Sequence, residues 1–324
     1  MKYLKATLLA AGAGLSMLAA PLTAFAQYPE KPVKLVVPYA PGGTVDAFAR
    51  LVVPRLEAKL GKTVVIENVA GAGGMIGVSR VTRAAPDGYT ILLGIVSDVV
   101  LAPLTESSAT YTYKDLDAIA PLGTSGLGVV AAPSTGIKSF SDMIAYAKKN
   151  PGKLSYGATG AGSLPALAME DLKRRAGIDV NFVPYASASK IAQDALGGHI
   201  DVAVSGLPAL LEYVKTGKLN PVGVMSKDRD IGNPDMASAA ETPELKGMDF
   251  YFWTGLFAPK GTPAPIIDKL NVAFQEALRE PAVAARFHDV GVKLIGPMKP
   301  AEFFSFVAAS NDTWTGVLRQ SKAK

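Results

Sequence analysis

The stretch Leu35-Val-Val-Pro-Tyr-Ala-Pro-Gly-Gly-Thr-Val-Asp46 predicts a buried strand, a glycine turn and the start of a helix, in that order. Two further stretches repeat this order, namely Val64-Val-Ile-Glu-Asn-Val-Ala-Gly-Ala-Gly-Gly74 and Leu154-Ser-Tyr-Gly-Ala-Thr-Gly-Ala-Gly-Ser163. Short apolar runs that alternate with amphipathic segments are typical of a parallel sheet covered by helices. The sequence therefore predicts an α/β fold.

The alternation of strands and helices falls into two series. The first series predicts strands at Val33–Val37, Val64–Glu67 and Ile91–Leu93, with helices at Asp46–Leu60 and Ile76–Ala84. The second predicts strands at Val129–Ala131, Leu154–Tyr156, Asn181–Val183 and Val202–Val204, with helices at Ser141–Lys149, Leu164–Ala176 and Lys190–Leu196. Two series of this length predict two α/β units.

The segments that flank the second series predict a double connection between the units. Ala118–Gly128 precedes that series and Phe250–Trp253 follows it. If both segments are crossing strands, the helices predicted at Pro265–Glu280, Pro281–Val290 and Pro300–Gln320 return to the first unit. We then expect domain 1 to comprise residues 27–124 and 251–324, domain 2 to comprise residues 125–250, and a ligand cleft to lie between them. The alternative is two consecutive domains joined by one linker.

The N-terminus predicts export. Lys2 and Lys5 precede the apolar run Ala6–Ala20, and Ala24-Phe-Ala26 supplies the small residues that signal peptidase recognises. We expect residues 1–26 to be a signal peptide, cleaved after Ala26. A membrane-spanning helix is the alternative, but the run is short and is interrupted by glycines. No cysteine follows the cleavage site to carry a lipid, so the expected location is the periplasm of a Gram-negative cell.

Composition narrows the class of protein. Of the 324 residues, 49% are hydrophobic and 19% are charged, which indicates a globular chain. The chain has no cysteine, so its stability must come from a hydrophobic core without disulfides. The formal net charge is +5, and loss of Lys2 and Lys5 leaves 5 − 2 = +3. This small, dispersed excess does not predict a nucleic-acid partner.

The first loop (residues 39–46) and the third loop (residues 157–163) have the chemistry of an anion site. Glycines allow several backbone N–H groups to converge on one ligand group, and the following helix adds the positive end of its dipole. Neither loop contains Lys or Arg, so neutral donors and water must hold the anion. Thr44 or Asp46 could cap the helix expected near Ala47, and Ser163 could cap the next one, or each could contact the ligand.

The second loop, Gly71-Ala-Gly-Gly-Met-Ile-Gly77, has most but not all of a dinucleotide-binding pattern. Ile76 stands where the third glycine of G-x-G-x-x-G is needed. The chain also has no G-x-x-x-x-G-K-[ST] sequence, so no phosphate loop is expected. These glycines are interpreted as packing residues, and no cofactor is predicted.

Catalytic groups are few. The two histidines, His199 and His288, fall in different predicted domains, and there is no cysteine nucleophile or G-x-S-x-G elbow. His199 follows two glycines in a predicted turn and is expected to be exposed. The acidic residues show no metal-ligand spacing. The sequence therefore favours a binding protein, with no metal, over an enzyme.

Seven motifs carry a resemblance to a known family. They are Tyr28-Pro-Glu-Lys-Pro32, Val36-Val-Pro-Tyr-Ala-Pro-Gly-Gly-Thr-Val-Asp46, Glu67-Asn68 with Gly71-Ala-Gly-Gly74, Ala84-Ala-Pro-Asp-Gly-Tyr-Thr90, Asn150-Pro-Gly-Lys-Leu154, Val183-Pro-Tyr185 and Ala258-Pro-Lys-Gly-Thr-Pro263. Together they resemble the tripartite tricarboxylate transporter receptors, or Bug proteins. The resemblance extends from Tyr28 nearly to the C-terminus.

The resemblance implies a two-domain, type II periplasmic-binding-protein-like fold that closes on a carboxylate. It implies a receptor, expected to be monomeric, that delivers its ligand to the two membrane subunits of a permease. The family grips the carboxylate between the loops that correspond to the first and third loops here. The expected ligand-binding residues, including strand-end serines, are Tyr39, Ala40, Gly42, Gly43, Thr44, Val45, Asp46, Ser97, Ala158, Thr159, Gly160, Ala161, Gly162, Ser163, Tyr185, Ser187 and Ser205.

Two departures from the family pattern bear on the ligand. Ser205-Gly-Leu-Pro208 lacks an Asp that many relatives have there, which weakens the case for an amino-acid ligand. The alternative explanation of this departure is that Gly206 is needed for the shape of the site. Tyr185-Ala-Ser-Ala-Ser189 replaces a common Lys-Gly after the tyrosine. The distal pocket is therefore expected to suit an aromatic or partly apolar acid. A ligand-presenting partner of a sensor system and a carboxylate-acting enzyme are the alternative functions.

Overall fold

A computed structural model describes residues 28–322 of the chain. The predicted signal peptide and its cleavage after Ala26 lie outside these residues. The strands are β1 (Val33–Val37), β2 (Val64–Asn68), β3 (Thr90–Ile95), β4 (Leu116–Ala131), β5 (Ser155–Ala158), β6 (Asn181–Pro184), β7 (Val202–Gly206), β8 (Asn220–Val224), β9 (Tyr251–Pro259) and β10 (Val292–Leu294). The predicted α/β fold is confirmed.

The helices cover both faces of this sheet structure. They are α1 (Thr44–Leu60), α2 (Met75–Thr82), α3 (Ala102–Thr105), α4 (Phe140–Lys149), α5 (Leu164–Ala176), α6 (Ala188–Leu196), α7 (Leu207–Lys215), α8 (Ala264–Arg279), α9 (Pro281–Asp289) and α10 (Pro300–Lys322). A π-helical turn at Ser97–Leu101 leads directly into α3. No helix within residues 28–322 combines the length and the apolar character that a membrane span needs.

The strands form two sheets that share β4. In the first sheet, β1 lies between β2 and β3 and is parallel to both. In the second sheet, β5 lies between β6 and β7 and is again parallel to both. Parallel strands covered by helices on both faces are buried on both sides, and Val33, Leu35, Val36 and Val37 of β1 are accordingly buried. The carboxyl ends of β1 and β7 open toward the region between the sheets.

The chain crosses between the sheets twice. The first part of β4, from Leu116 to Gly126, pairs with β9, and the rest of β4 pairs with β7 and β8. At the return, the backbone N–H of Phe250 donates to Met225 O, one residue before β9 begins to pair in the first sheet. The predicted double crossing is therefore present, and the alternative with a single linker is wrong. The residue limits of the two domains stay a prediction.

The C-terminal helices pack onto the first sheet, as expected from a second crossing. Arg55 of α1 pairs with Glu280 at 3.0 Å, and Lys59 of α1 lies 3.6 Å from Glu276 of α8. The rings of Phe48 and Phe287 meet edge to face with centroids 5.7 Å apart. These contacts join the last third of the chain to its first helix.

The helix α5 shows why some elements could be predicted to the residue. Ser163 precedes its first turn, and Pro165 lies within that turn, where its missing N–H costs nothing. Gly177 ends the helix in the left-handed conformation at φ 63°, which glycine adopts without strain. Both termini therefore match the predicted range Leu164–Ala176.

Candidate functional site

A cavity of about 40 Å³ lies between the two sheets. Its walls come from the first loop, from the third loop and from both crossing strands. The lining residues are Tyr39, Ala40, Gly43, Thr44, Val45, Phe48, Ile95, Ser125, Thr159, Ser187, Ala188, Ser205, Gly206, Phe252 and Thr254. We call this space the first cavity.

Three helices begin at the first cavity. The lining includes Gly43–Val45 at the start of α1, Ser187–Ala188 at the start of α6 and Ser205–Gly206 at the start of α7. The glycines that precede α1 and α7 provide no side-chain cap, so the first-turn N–H groups of these helices have no side-chain acceptor. At α6, Lys190 N donates to Ser187 Oγ at 3.3 Å. The uncapped starts of α1 and α7 carry free N–H donors and partial positive charge, so this wall favours an anion.

The first cavity has no cationic side chain in its lining. Arg50, one turn into α1, is paired with Asp46 at 2.8 Å. Lys190, at the start of α6, is paired with Asp194 at 2.7 Å. Any attraction of this wall for an anion therefore comes from backbone dipoles and hydroxyls.

The carboxylate of Asp46 organises the first loop. It accepts hydrogen bonds from Gly42 N at 2.9 Å, Arg50 Nε at 2.8 Å and Asn68 Nδ2 at 3.0 Å. Burial opposes its charge, but the bonds from Arg50, Gly42 and Asn68 outweigh burial and hold the pKa of Asp46 below its ordinary value. Asp46 therefore holds the first loop in place through these hydrogen bonds, and it does not line the first cavity.

The helix after the first loop begins earlier than predicted. Gly43 precedes the first turn, Ala47 N donates to Gly43 O at 2.9 Å, and α1 starts at Thr44. The expectation that the side chain of Thr44 or Asp46 caps this helix is wrong, because neither caps it. Ser163 likewise does not cap α5, since its Oγ donates to Gly160 O at 2.8 Å.

Beneath the first loop lies Asp98, which is fully buried on the π-helical turn. Its Oδ1 accepts a hydrogen bond from Ile95 N at 3.0 Å. Burial raises the pKa of Asp98 to about 8, against the opposing effect of bonds from Ile95, Tyr39 and Val99. Burial and the neighbouring Asp98 also raise the pKa of the Tyr39 hydroxyl well above its ordinary value. The packing beneath the first loop therefore depends on whether the carboxyl group of Asp98 is charged.

The second loop packs against the first, as interpreted from the sequence. A Cβ on Gly77 would lie 2.7 Å from Pro38 Cα, and a Cβ on Gly74 would lie 2.8 Å from Asp98 Cβ. Gly74 also has φ 102°, which disfavours other residues. These glycines allow the close approach of two loops.

A second cavity of about 300 Å³ separates the third loop from the second loop and from the segment Ser97–Ser108. Its lining consists of Ala72, Gly73, Met75, Ser97, Ala102, Glu106, Ser108, Thr159, Gly160, Gly162 and Ser163. The backbone N–H of Leu164 crosses the cleft and donates to Ser97 Oγ at 3.2 Å. A Cβ on Gly162 would lie 2.2 Å from Thr105 Oγ1. The third loop therefore touches the opposite side of the cleft directly.

The structure divides the predicted site residues into three groups. The first cavity is lined by Tyr39, Ala40, Gly43, Thr44, Val45, Thr159, Ser187 and Ser205. The second cavity is lined by Ser97, Thr159, Gly160, Gly162 and Ser163. The linings do not include Gly42, Asp46, Ala158, Ala161 or Tyr185, and the hydroxyl of Tyr185 donates to Asp194 at 2.8 Å. Contact of each residue with a ligand stays a prediction.

Sequence reasoning missed seven residues that line the first cavity. They are Phe48, Ile95, Ser125, Ala188, Gly206, Phe252 and Thr254. Ile95 and Gly206 end their strands, so the rule that found Ser205 could also have found them. Ser125, Phe252 and Thr254 lie within the crossing strands, where no local pattern marks a ligand-facing position.

Comparison with known proteins assigns the family. Residues 48–321 match the family model described as tripartite tricarboxylate transporter family receptor. This chain belongs to that receptor family. The predicted resemblance is confirmed, and the two-domain, type II periplasmic-binding-protein-like fold is that of the receptor's solved relatives.

Three relatives resemble this receptor over most of its length, in sequence or in structure. Protein BugT of Bordetella pertussis is 34% identical over 312 residues, which cover 95% of this chain and 94% of BugT. MatC from Rhodopseudomonas palustris, solved with bound malate, is 30% identical with a TM-score of 0.84 and coverage of 90% and 99%. The R. palustris protein Rpa4515, solved with adipate, is 26% identical with a TM-score of 0.85 and coverage of 90% and 98%.

Proposed function

We propose that this receptor captures a small carboxylate between the two sheets, with the carboxylate group in the first cavity, and presents it to a tripartite tricarboxylate transporter. The observation that carries the proposal is the convergence of the N-termini of α1, α6 and α7 on a cavity without cationic side chains. Such a wall stabilises one anionic group through N–H donors and helix dipoles. It holds the ligand without the strong charge pairing that would slow its release.

Relatives support the same chemistry. The solved structures of MatC and Rpa4515 contain malate and adipate, and both molecules are carboxylates. We infer that the carboxylate of this receptor's ligand lies between Gly43–Val45 of the first loop and Thr159 of the third, since these residues line one cavity from opposite sides.

We infer that the receptor binds its ligand without converting it. The lining of the first cavity has hydroxyl groups but no His, Asp or Glu to act as a general base. His199 and His288 are exposed and are not among the lining residues. Among the described residues, no three acidic or histidine side chains are grouped as a metal site would require. A hydroxyl without a base is a hydrogen-bond donor, not an activated nucleophile.

A thermal-shift screen of mono-, di-, tri- and aromatic carboxylates tests the binding function. A ligand at 100 times its dissociation constant stabilises the folded state by about 2.7 kcal/mol. We expect at least one carboxylate to raise the melting temperature, a calorimetric stoichiometry of 1:1, and recovery of unchanged ligand. Absence of a shift across the panel, or conversion of the ligand, would contradict the proposal.

Paired variants test the loops. Thr44→Val and Ser163→Ala each remove one hydroxyl, from the first and third loops respectively. We expect Thr44→Val to weaken binding more, because Thr44 lines the first cavity while Ser163 lines the second and is bonded to Gly160. If both variants bind the ligand as tightly as the unmodified receptor does, neither hydroxyl contributes to binding, and backbone groups alone hold the ligand.

The cellular role needs separate tests. We propose that the mature receptor begins at Gln27 in the periplasm, is monomeric and serves uptake. N-terminal sequencing of the periplasmic protein and light scattering check the first two points. Deletion of its gene should abolish uptake of the ligand. Loss of a transcriptional response with intact uptake would favour a sensor partner.

A further inference from the structure

Two hydroxyl oxygens in the wall of the first cavity have no hydrogen-bond partner. Thr44 Oγ1 and Ser125 Oγ are both buried, and neither forms a hydrogen bond within the described residues. Ser125 is only 4% exposed and lies opposite Phe252 in the pairing of β4 with β9. A buried hydroxyl gives up its bonds to water and normally recovers them from another group. A ligand group in the cavity would supply that bond.

Glycine at position 206 leaves the Thr44 hydroxyl uncovered. A Cβ on Gly206 would lie 2.9 Å from Thr44 Oγ1 and 3.5 Å from the ring of Phe252. The side chain of any larger residue would press on the Thr44 hydroxyl and cover it. The bare backbone at Gly206 therefore keeps open the part of the cavity where the hydroxyl and the aromatic ring meet.

The remaining wall is apolar or neutral. Phe48, Ile95 and Phe252 contribute apolar surface, and the lining contains no Lys, Arg or His. The cations nearest in sequence on α1 and α6, Arg50 and Lys190, are already paired with acidic residues. The helix N-termini can stabilise one carboxylate, but a second would lose its water against aromatic rings without a cation to compensate.

We propose that the ligand is a monocarboxylate with an apolar or aromatic body and one neutral hydrogen-bonding group, which Ser125 recognises while the carboxylate lies beside Thr44. A hydroxyl or carboxamide fits, because a serine or threonine hydroxyl both donates and accepts. This inference rests on the proposed carboxylate-receptor function and narrows it. It separates this receptor from MatC and Rpa4515, whose named ligands malate and adipate each have two carboxylates.

Two matched ligand series test the inference by titration calorimetry. The aromatic series is benzoate, 4-hydroxybenzoate, 4-carbamoylbenzoate and terephthalate, and the aliphatic series is hexanoate, 6-hydroxyhexanoate and adipate. Within a series only the group distant from the first carboxylate changes. We expect, in at least one series, a neutral polar member to bind tenfold or more tightly than both the unsubstituted acid and the diacid.

Variants then connect this preference to the hydroxyl of Ser125. Ser125→Ala should weaken the preferred member at least fivefold while changing the affinity of the unsubstituted acid less than twofold. Thr44→Val, in the loop that holds the carboxylate, should weaken every member of a series that binds. The matched control is Ser134→Ala, at an exposed position outside the cavity linings, which should change neither affinity. Because Ser125 Oγ has no partner in the protein, the unliganded melting temperature of Ser125→Ala should not fall. A fall would show that the hydroxyl has a structural role.

The failures of the two proposals are distinguishable. If carboxylates bind and no neutral polar member binds more tightly than both the unsubstituted acid and the diacid of its series, the inference is overturned while the carboxylate-receptor function stands. Equal loss of affinity for the polar and the unsubstituted acid in Ser125→Ala also overturns it. If no carboxylate of either series or of the wider screen binds, the proposed function fails as well.

Discussion

The first and third loops face each other across the cleft, but they are held in different ways. The first loop is fixed by its own surroundings, through the bonds of Asp46 and through Asn68 Nδ2, which donates to Tyr39 O at 3.0 Å. After β5 ends at Ala158, residues 159–163 of the third loop form only short-range bonds, such as Ser163 N to Gly160 O at 3.3 Å, and the loop otherwise touches the opposite side of the cleft. The comparison indicates that one loop is preorganised and the other depends on closure.

The strongest test of this difference is removal of the carboxylate behind the first loop. Asp46→Ala leaves the donors of Gly42, Arg50 and Asn68 without their acceptor, so we expect a loss of roughly 2–3 kcal/mol in unfolding free energy. Ligand affinity should fall at least roughly tenfold, since the loop loses its shape. Denaturant unfolding and calorimetry measure the two effects. Asp268→Ala, at an exposed position on α8, is the control, and equal effects in both variants would contradict a preorganised loop.

The second test is the charge of Asp98 beneath the same loop. Its pKa of about 8 exceeds the ordinary 3.8, so the folded state holds a proton that the unfolded chain releases. This contribution to stability is complete below about pH 4 and is lost as the pH rises to about 8. Asp98→Asn should remove that slope and raise the unfolding free energy at pH 9 by at least about 1.4 kcal/mol. Melting curves from pH 4 to pH 9 would refute this if both proteins showed the same slope.

A third test acts on closure alone. Gly162→Ala would place a Cβ 2.2 Å from Thr105 Oγ1 and 2.8 Å from Glu106 Oε1, so the third loop could approach the first sheet less closely. We expect affinity to fall roughly tenfold, about 1.4 kcal/mol, with little change in melting temperature. Gly296→Ala, where nothing lies within 4 Å of the new Cβ, is the matched control. Unchanged affinity in Gly162→Ala would show that closure does not need this contact.

The smallest expected effect comes from the hydrogen bond across the cleft. Ser97→Ala removes the acceptor of Leu164 N, and one neutral hydrogen bond contributes about 1 kcal/mol. The affinity should fall roughly threefold to fivefold, mainly through faster ligand dissociation in stopped-flow measurements. A slower association with unchanged dissociation would argue instead that Ser97 guides ligand entry.

Elements with local signals could be predicted from the sequence. β1 and α5 have the predicted limits because their apolar runs stop at Pro38 and at Gly177. The strands β8 and β10 were not predicted, since both are defined by pairing with β4, which lies far away in sequence. Pairing between distant segments leaves little trace in a local pattern.

In the candidate site, too, only residues with a local sequence signal could be predicted. Thr44, Ser187 and Ser205 follow or end strands, where parallel sheets open to ligands, and all three line the first cavity. Ser125 lies near the middle of the 16-residue strand β4, and its position facing a cavity depends on the register with β9. Register between the crossing strands is a tertiary property, so the residue could not be found from spacing alone.

The shared strand β4 also affects how the molecule unfolds. One part of β4 pairs in the first sheet and the rest pairs in the second. Unfolding of either sheet therefore releases one part of β4 and weakens the support of the part that pairs in the other sheet. The two halves therefore form one cooperative unit, and calorimetry should show a single transition whose van't Hoff and calorimetric enthalpies agree. Such coupling lowers the risk that one sheet unfolds while the other stays folded.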